Sequence, residues 1–274
     1  MDIIPVTAEW ASAILPRRQP DSHKGHYGHA LLAAGNTGRM GAAVLAAKAC
    51  IRTGAGLTTV NIPFDERFIL QTAVPEVMLV FRKDIQDVTG YQAIGIGPAL
   101  GLEKESANLL QHILETARCP VLLDADALTL LSKQPELLSA VPPQTVLTPH
   151  PKEFDRLFGI HNSTAEREAK AMELAATHDW VIVLKGHQTL ISSRNKYMRN
   201  TTGNPGLAKG GSGDVLTGMI TALLAQGHDP VDAAAAGVFL HGLAADLALA
   251  AQSEESLVAS DVIDTIGLAY RAIR

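Results

Sequence analysis

The chain has 274 residues, 47% of them hydrophobic, enough to bury the core of one large α/β domain. Its net charge of −5, with acids and bases interspersed, excludes the basic stripe that a phosphodiester backbone requires, so no nucleic acid partner is expected. Cys50 and Cys119 both lie in apolar segments, which points to buried thiols in a reducing, cytoplasmic compartment and away from a disulfide or metal site.

The N-terminal stretch MDIIPVTAEWASAILPRRQPDSHKGHYGH lacks the basic segment and unbroken apolar run of a signal peptide. Short β-like runs then recur, each followed by a helical pattern. ALLAAG (30–35), LTTVNI (57–62), VMLVF (77–81), AIGIG (93–97), VLLDAD (121–126), TVLTPH (145–150) and WVIVLKG (180–186) are the clearest. Several are continuously apolar, as strands covered on both faces are. Helices are predicted over 39–54, 103–117, 151–159, 164–178, 213–227, 230–251 and 260–272, and TLISS and KYMRN, separated by RN, predict a hairpin. Residues 231–251 are apolar enough to suggest a membrane span, but Asp232, His241 and Asp246 interrupt them, so a core helix and no membrane are expected. This alternation predicts a three-layer α/β/α sandwich around a mostly parallel sheet. No linker or repeat divides it, so residues 1–274 are read as one domain.

In open sheets of this kind ligands bind beyond the carboxyl ends of the strands, and the most unusual residues fall there. NPGLAKGGSGDVLTGMI places Gly210, Gly211 and Gly213 just ahead of a long apolar helix. Glycines there let the backbone approach an anion, and the unpaired N–H groups and positive dipole end of the helix favour it. A plain turn capped by Asp214 is the alternative. No GxxxxGK[ST] occurs, so this is not a Walker P-loop. Asp214 beside a phosphate makes sense as the group that accepts a hydroxyl's proton while that hydroxyl attacks phosphorus.

VLKGHQTLI puts Lys185 and Gly186 at a strand end, where the ammonium can neutralise a phosphate or be solvated. TVLTPHPKEF holds His150 between two prolines; Glu153 either helps to hold hydrated Mg²⁺ or favours the start of a helix. In VLLDADAL, Asp124 and Asp126 at i and i+2 project to one side of an extended chain, suited to water-mediated Mg²⁺ or to substrate hydroxyls, with helix capping open for Asp126. GIGPALG has GxGxxxG spacing and is a weak dinucleotide fingerprint.

Taken together, NPGLAKGGSGDVLTGMI, GNTGRMGAAVLAAKACIRTGAGLTTV, GIGPALG, LDADAL, LTPHPKEFDRLFG and VLKGHQTLI resemble, in order and over roughly residues 25–270, the signatures of the ADP-dependent NAD(P)H-hydrate dehydratases of the ribokinase-like superfamily. The resemblance implies a ribokinase-like fold without a separate lid domain. It implies a hydro-lyase that restores C6-hydrated NADH or NADPH, of the S epimer, with ADP and Mg²⁺, releasing AMP and phosphate. Asp214 would be the base, and Gly211, Ser212 and Gly213 would supply N–H donors. Ala42, Gly97, Gly101, Asp124, His150 and Asp214 would meet the hydrated dinucleotide. Lys185, Gly186, His187, Gln188, Thr189 and Gly213 would meet the AMP moiety, and Glu153 would reach the metal through water.

Ala99 stands where the family usually has glycine, and Lys209 replaces a small polar residue beside the anion hole. No room is expected for the epimerase domain often attached in this family. Apolar C-terminal helix faces suit a homo-oligomer, a tetramer by preference, though buried packing predicts the same pattern. Three rivals stand beside this reading. One is a ribokinase-like kinase for a vitamin-precursor alcohol such as hydroxyethylthiazole, which would leave a stable phosphate ester. Another is an oxidoreductase using GIGPALG for NAD. The last is a non-catalytic nucleotide sensor, which would have no need of Asp214.

Overall fold

The computed structural model describes residues 2–84 and 87–274. Its strands are β1 (Ile4–Pro5), β2 (His29–Ala33), β3 (Leu57–Ile62), β4 (Met78–Phe81), β5 (Ala93–Ile96), β6 (Val121–Leu123), β7 (Val146–Leu147), β8 (Val181–Leu184), β9 (Leu190–Ser192) and β10 (Tyr197–Arg199). They pair into one ten-stranded sheet in the order β1-β10-β9-β8-β7-β6-β5-β2-β3-β4. Strand β9 runs antiparallel to β8 and β10, while the other pairs are parallel. The predicted hairpin is present, with Tyr197 opposite Ser192.

The helices are α1 (Ala8–Ile14), α2 (Gly41–Thr53), α3 (Arg67–Ala73), α4 (Lys104–Thr116), α5 (Ala125–Lys133), α6 (Pro135–Ser139), α7 (Pro151–Phe158), α8 (Thr164–His178), α9 (Ser212–Ala225), α10 (Pro230–Ala248) and α11 (Ala259–Ala272). Because strand side chains alternate, Leu32 and Leu122 face one layer and their neighbours Leu31 and Leu123 the other. The first layer is built from α2, α9, α10 and α11, through Ala46, Ile220, Leu240 and Ile266. The second comes from α4, α5, α7 and α8, through Leu110, Leu128, Phe154 and Leu174. The expected three-layer sandwich is what forms.

Helix α10 is long and apolar enough to cross a membrane, yet 72% of its most apolar window is buried against the rest of the chain. Its apolar faces are used inside the fold, which removes them as an argument for an oligomer. Helices α2 and α9 approach so closely that a Cβ on Gly218 would collide with the Ala46 carbonyl. Cys50 is buried, but Cys119 is only half-buried, short of the expectation for both.

Strand β6 ends at Leu123, not at Asp126 as the apolar run suggested. Ala125 adopts a left-handed φ of 47° and turns the chain into α5 at once. Asp124 and Asp126 are therefore not paired on one side of a strand. The short elements β1, α1, α3 and α6 were not expected either.

Strand β2 has β3 on one side and β5 on the other, so the connections leaving β2 and β5 diverge. That divergence opens a crevice at the carboxyl ends of the strands, the usual place for a ligand in such sheets.

Candidate active site

The start of α9 lies at this end of the sheet. Gly211 is its N-cap with φ 94°, a conformation that glycine adopts without strain, and no side chain caps the helix. The N–H groups of Ser212, Gly213 and Asp214 lie in the first turn, where an α-helix has no internal acceptors, and no other partner meets them among the described residues. Gly211 through Asp214 stay half-buried, whereas Val215 through Ala225 are all buried. The segment ahead is held by Asp246 of α10, which accepts from the Gly203 N–H at 2.8 Å and from Asn204 Nδ2 at 3.0 Å.

Beneath these donors sits an ion pair drawn from distant parts of the chain. Lys185 Nζ, just past β8, lies 2.9 Å from Asp124 Oδ1 at the end of β6 and 3.9 Å from Glu153 Oε2. Asp124 Oδ2 accepts from the Thr217 hydroxyl of α9 at 2.8 Å. A Cβ on Gly213 would stand 3.7 Å from both Asp124 Oδ2 and Lys185 Nζ, so the pair lies directly against the first turn of α9. Burial works against the Lys185 ammonium, but Asp124 and Glu153 more than offset it and raise its pKa. Burial, then the negative charge of Asp124, push the Asp214 carboxyl up to about 6, with Lys185 opposing the rise. An aspartate poised there is half ionised near pH 6 and mostly ionised at neutrality, as a general base should be.

His150 and Glu153 form a reciprocal cap on α7. His150 Nδ1 accepts from the Lys152 and Glu153 N–H groups at 3.1 and 3.3 Å, and Glu153 Oε2 accepts from the His150 N–H at 2.9 Å. With Nδ1 accepting, the neutral ring carries its proton on Nε2, which remains a donor 3.4 Å from Glu153 Oε1. Burial lowers the pKa of His150, so neutral is its resting form. The helix-start role of Glu153 is thus the one present. Both of its oxygens are engaged, and no three His, Cys, Asp or Glu side chains converge as metal ligands among the described residues. These residues fit a magnesium ion carried on a nucleotide's phosphates and met through water, not one ligated by the protein.

Past β5, Gly97 packs so tightly that a Cβ would collide with the Asp124 carbonyl. Ala99 takes φ 48°, which explains why glycine is the easier residue at that position. The Gly101 N–H donates to Asp126 Oδ2 at 2.9 Å, so Asp126 secures this loop and does not cap α5, while its charge adds to the rise in the Asp214 pKa. Ala42 is half-buried in the first turn of α2, whose N-cap Met40 makes no side-chain cap. In the β8–β9 turn Gly186, His187 and Gln188 are exposed, and the Thr189 hydroxyl donates to the Gly186 carbonyl at 3.3 Å. Lys209 does not reach the anion hole, because its ammonium donates to the Glu255 carbonyl.

Sequence reading missed Thr217, Asp246 and His241. His241 is buried in α10 with Nε2 3.4 Å from Ser212 Oγ, and burial pushes its pKa down to about 4. No local pattern marks these three residues, since their partners are 93, 43 and 29 positions away.

A family profile described as NAD(P)H-hydrate dehydratase matches residues 30–267. A Bacillus subtilis protein named ADP-dependent (S)-NAD(P)H-hydrate dehydratase is 39% identical over 268 residues, covering 95% of each chain. A bifunctional NAD(P)H-hydrate repair enzyme of Moorella thermoacetica is 36% identical over 285 residues; the match covers 97% of this chain and 53% of that protein, so this chain spans about half its length. Among solved structures, the ADP/ATP-dependent NAD(P)H-hydrate dehydratase of Bacillus subtilis, co-crystallised with ATP and Mg²⁺, is similar with a TM-score of 0.88 at 35% identity over the full length of both chains.

Proposed function

Because this chain belongs to the NAD(P)H-hydrate dehydratase family, we propose that it removes water from the S epimer of C6-hydrated NADH or NADPH at the expense of ADP. The observation that carries this reading is the open first turn of α9: three unmet N–H donors with Asp214 beside them, its carboxyl raised to about 6.

The steps are those the family resemblance implies, set on this geometry. The C6 hydroxyl oxygen attacks the β-phosphorus of ADP as Asp214 takes its proton, and the bond from β-phosphorus to the bridging oxygen breaks, releasing AMP. The N–H groups of Ser212, Gly213 and Asp214 meet the charge on the transferring phosphoryl, and Lys185 lies within the same electrostatic neighbourhood. The ring nitrogen's lone pair then expels phosphate by breaking the C6–O bond. Loss of the C5 proton restores the dihydropyridine. Phosphorylation is needed because phosphate leaves far more readily than hydroxide.

Asp124, Gly97, Gly101, Ala42 and the Nε2–H of His150 would face the hydrated dinucleotide. Lys185 through Thr189 and Gly213 would take the AMP moiety. Mg²⁺ would neutralise the nucleotide's phosphates, with Glu153 in reach only through water. We take residues 1–274 to act as one domain in the cytoplasm, supported by the free thiols of Cys50 and Cys119. Exposed Phe64, Phe68 and Ile69, near the edge strand β4, support a homo-oligomer such as a tetramer.

Incubating the purified protein with hydrated NADH, Mg²⁺ and ADP or ATP should regenerate the absorbance of the dihydronicotinamide, with stoichiometric inorganic phosphate. A stable phosphate ester in place of phosphate would mean a kinase for an alcohol, and no recovery with either nucleotide would remove the proposal.

A further inference from the structure

Arg82 follows the last residue of β4 and is only 7% exposed. Among the described residues no carboxylate lies within 4.0 Å of its guanidinium. Its partners are neutral: Nη1 donates to the Leu100 carbonyl at 2.7 Å and to Ser106 Oγ at 3.3 Å, and Nη2 donates to the Gly35 carbonyl. Nε has no hydrogen-bond partner among the described residues. Burial pushes its pKa down to about 10, with the charges of Glu105 and Glu103 opposing the fall, so the group is still a cation near neutrality.

A buried cation that Glu105 and Glu103 support only from beyond ion-pair distance, and with one N–H unmet, costs stability that an apolar side chain of the same size would not. Something else therefore requires the guanidinium, and its contacts indicate what. Gly35 lies in the loop that leaves β2 and Leu100 in the loop that leaves β5, the two connections that diverge at the switch point. The Arg82 backbone itself is held at the end of β3, where its N–H donates to the Ile62 carbonyl at 3.1 Å. One planar group thus reaches from the far side of β3 to both loops.

Peptide geometry gives the consequence. The C=O and N–H of one trans peptide point in opposite directions. Drawing the Leu100 carbonyl towards Arg82 sends the Gly101 N–H away from it, and that N–H meets Asp126 Oδ2 at 2.9 Å. Drawing the Gly35 carbonyl towards Arg82 likewise sends the Asn36 N–H away, and that donor has no acceptor among the described residues. The two loops are also joined directly, Gly35 N–H to the Pro98 carbonyl at 2.8 Å and Asn36 Nδ2 to the Leu100 carbonyl at 3.3 Å.

We propose that Arg82 is a positioning residue that locks the two switch-point loops to each other and presents the Asn36 N–H to an anionic or carbonyl oxygen of the bound dinucleotide. The identity of that ligand rests on the function proposed above, whereas the locking of the loops does not.

Hydrogen exchange on the ligand-free protein tests the structural half. In Arg82→Met, amides of residues 35–40 and 97–101 should exchange about tenfold faster while those of α8 keep their wild-type rates. Kinetics test the functional half: R82M should raise KM for hydrated NADH about tenfold with KM for ADP changed less than about twofold, and R82K, which keeps the charge but not the two-headed geometry, should fall between. If R82M does not fold, R82K carries both measurements. Wild-type exchange in both loops, a uniform rise across the whole sheet, or equal changes in the two KM values would each overturn the proposal. An inactive wild-type protein would remove the proposed function instead, and the exchange pattern would still decide the role of Arg82.

Discussion

The two ends of the sheet are built on opposite electrostatic terms. At the carboxyl ends of the strands, α2, α5 and α9 begin without a side-chain cap, behind Met40, Asp124 and Gly211. At the other end the last carbonyls of the helices are met: Arg18 donates to the Gly54 carbonyl at 2.5 Å, the Tyr270 hydroxyl to Thr53 at 3.0 Å and Arg17 to Arg274 at 3.2 Å. A cavity of about 1520 Å³ lies at this second end, lined by Arg17, Arg18, Lys48, Arg52 and Arg274 among others. Cations gathered around helix C-termini answer the negative dipole ends, which accounts for them without a ligand. The presence of a hollow is therefore not by itself the mark of a reactive end. What sets the first end apart is unmet backbone donors beside a carboxyl with a displaced pKa.

The largest expected effect is at Asp214. Asp214→Asn should lower kcat about a thousandfold, and in the wild type kcat/KM should rise with pH along an acid limb near 6 as the base ionises. The same substitution should stabilise the fold. Its folded pKa of about 6 lies above the ordinary 3.8, so the protonated form is favoured by folding; that contribution is complete below about pH 4 and is lost as pH rises through 6. Urea denaturation should thus show Asp214→Asn more stable by about 1–2 kcal/mol at pH 8 and unchanged at pH 4. Undiminished turnover in this variant would abolish the contrast between the two ends.

Lys185→Met comes next. It leaves Asp124, 3% exposed at its side chain, as a buried charge without its cation, a loss of about 3 kcal/mol in denaturant titrations. Lys185 also opposes the rise in the Asp214 pKa, so the acid limb of the pH profile should move to higher pH in this variant. A limb that stays in place would separate the ion pair from the base. The smallest effect is expected at the rear cavity, where Lys48→Ala with Arg52→Ala should change kcat/KM less than about twofold and stability by no more than about 0.5 kcal/mol. A large loss of activity there would transfer the chemistry to the opposite end.

Much of the layered architecture could be read from local pattern. LTTVNI corresponds residue for residue to β3 and the predicted helix over 164–178 to α8, because each is marked by a run of local pattern with breaks at both ends. The open start of α9 with Asp214 in its first turn was legible because donors and carboxylate come from adjacent residues. The reading of Asp124 and Asp126 as a strand pair failed at Ala125, whose left-handed φ breaks an apolar run that continues in sequence. Short elements such as α6 carry too few residues to show a period.

By itself the sequence determined the alternation of strands and helices, the open helix start at Gly211 and the carboxylate next to it, all of which depend on residues within a few positions of one another. Only the tertiary structure decided that Lys185, Asp124 and Thr217 form one cluster beneath that helix, that His150 caps its own helix, and that Arg82 joins the loops after β2 and β5. Those contacts span long stretches of chain and follow from strand order, which local hydrophobic pattern does not encode, because every parallel strand buried on both faces presents the same apolar run.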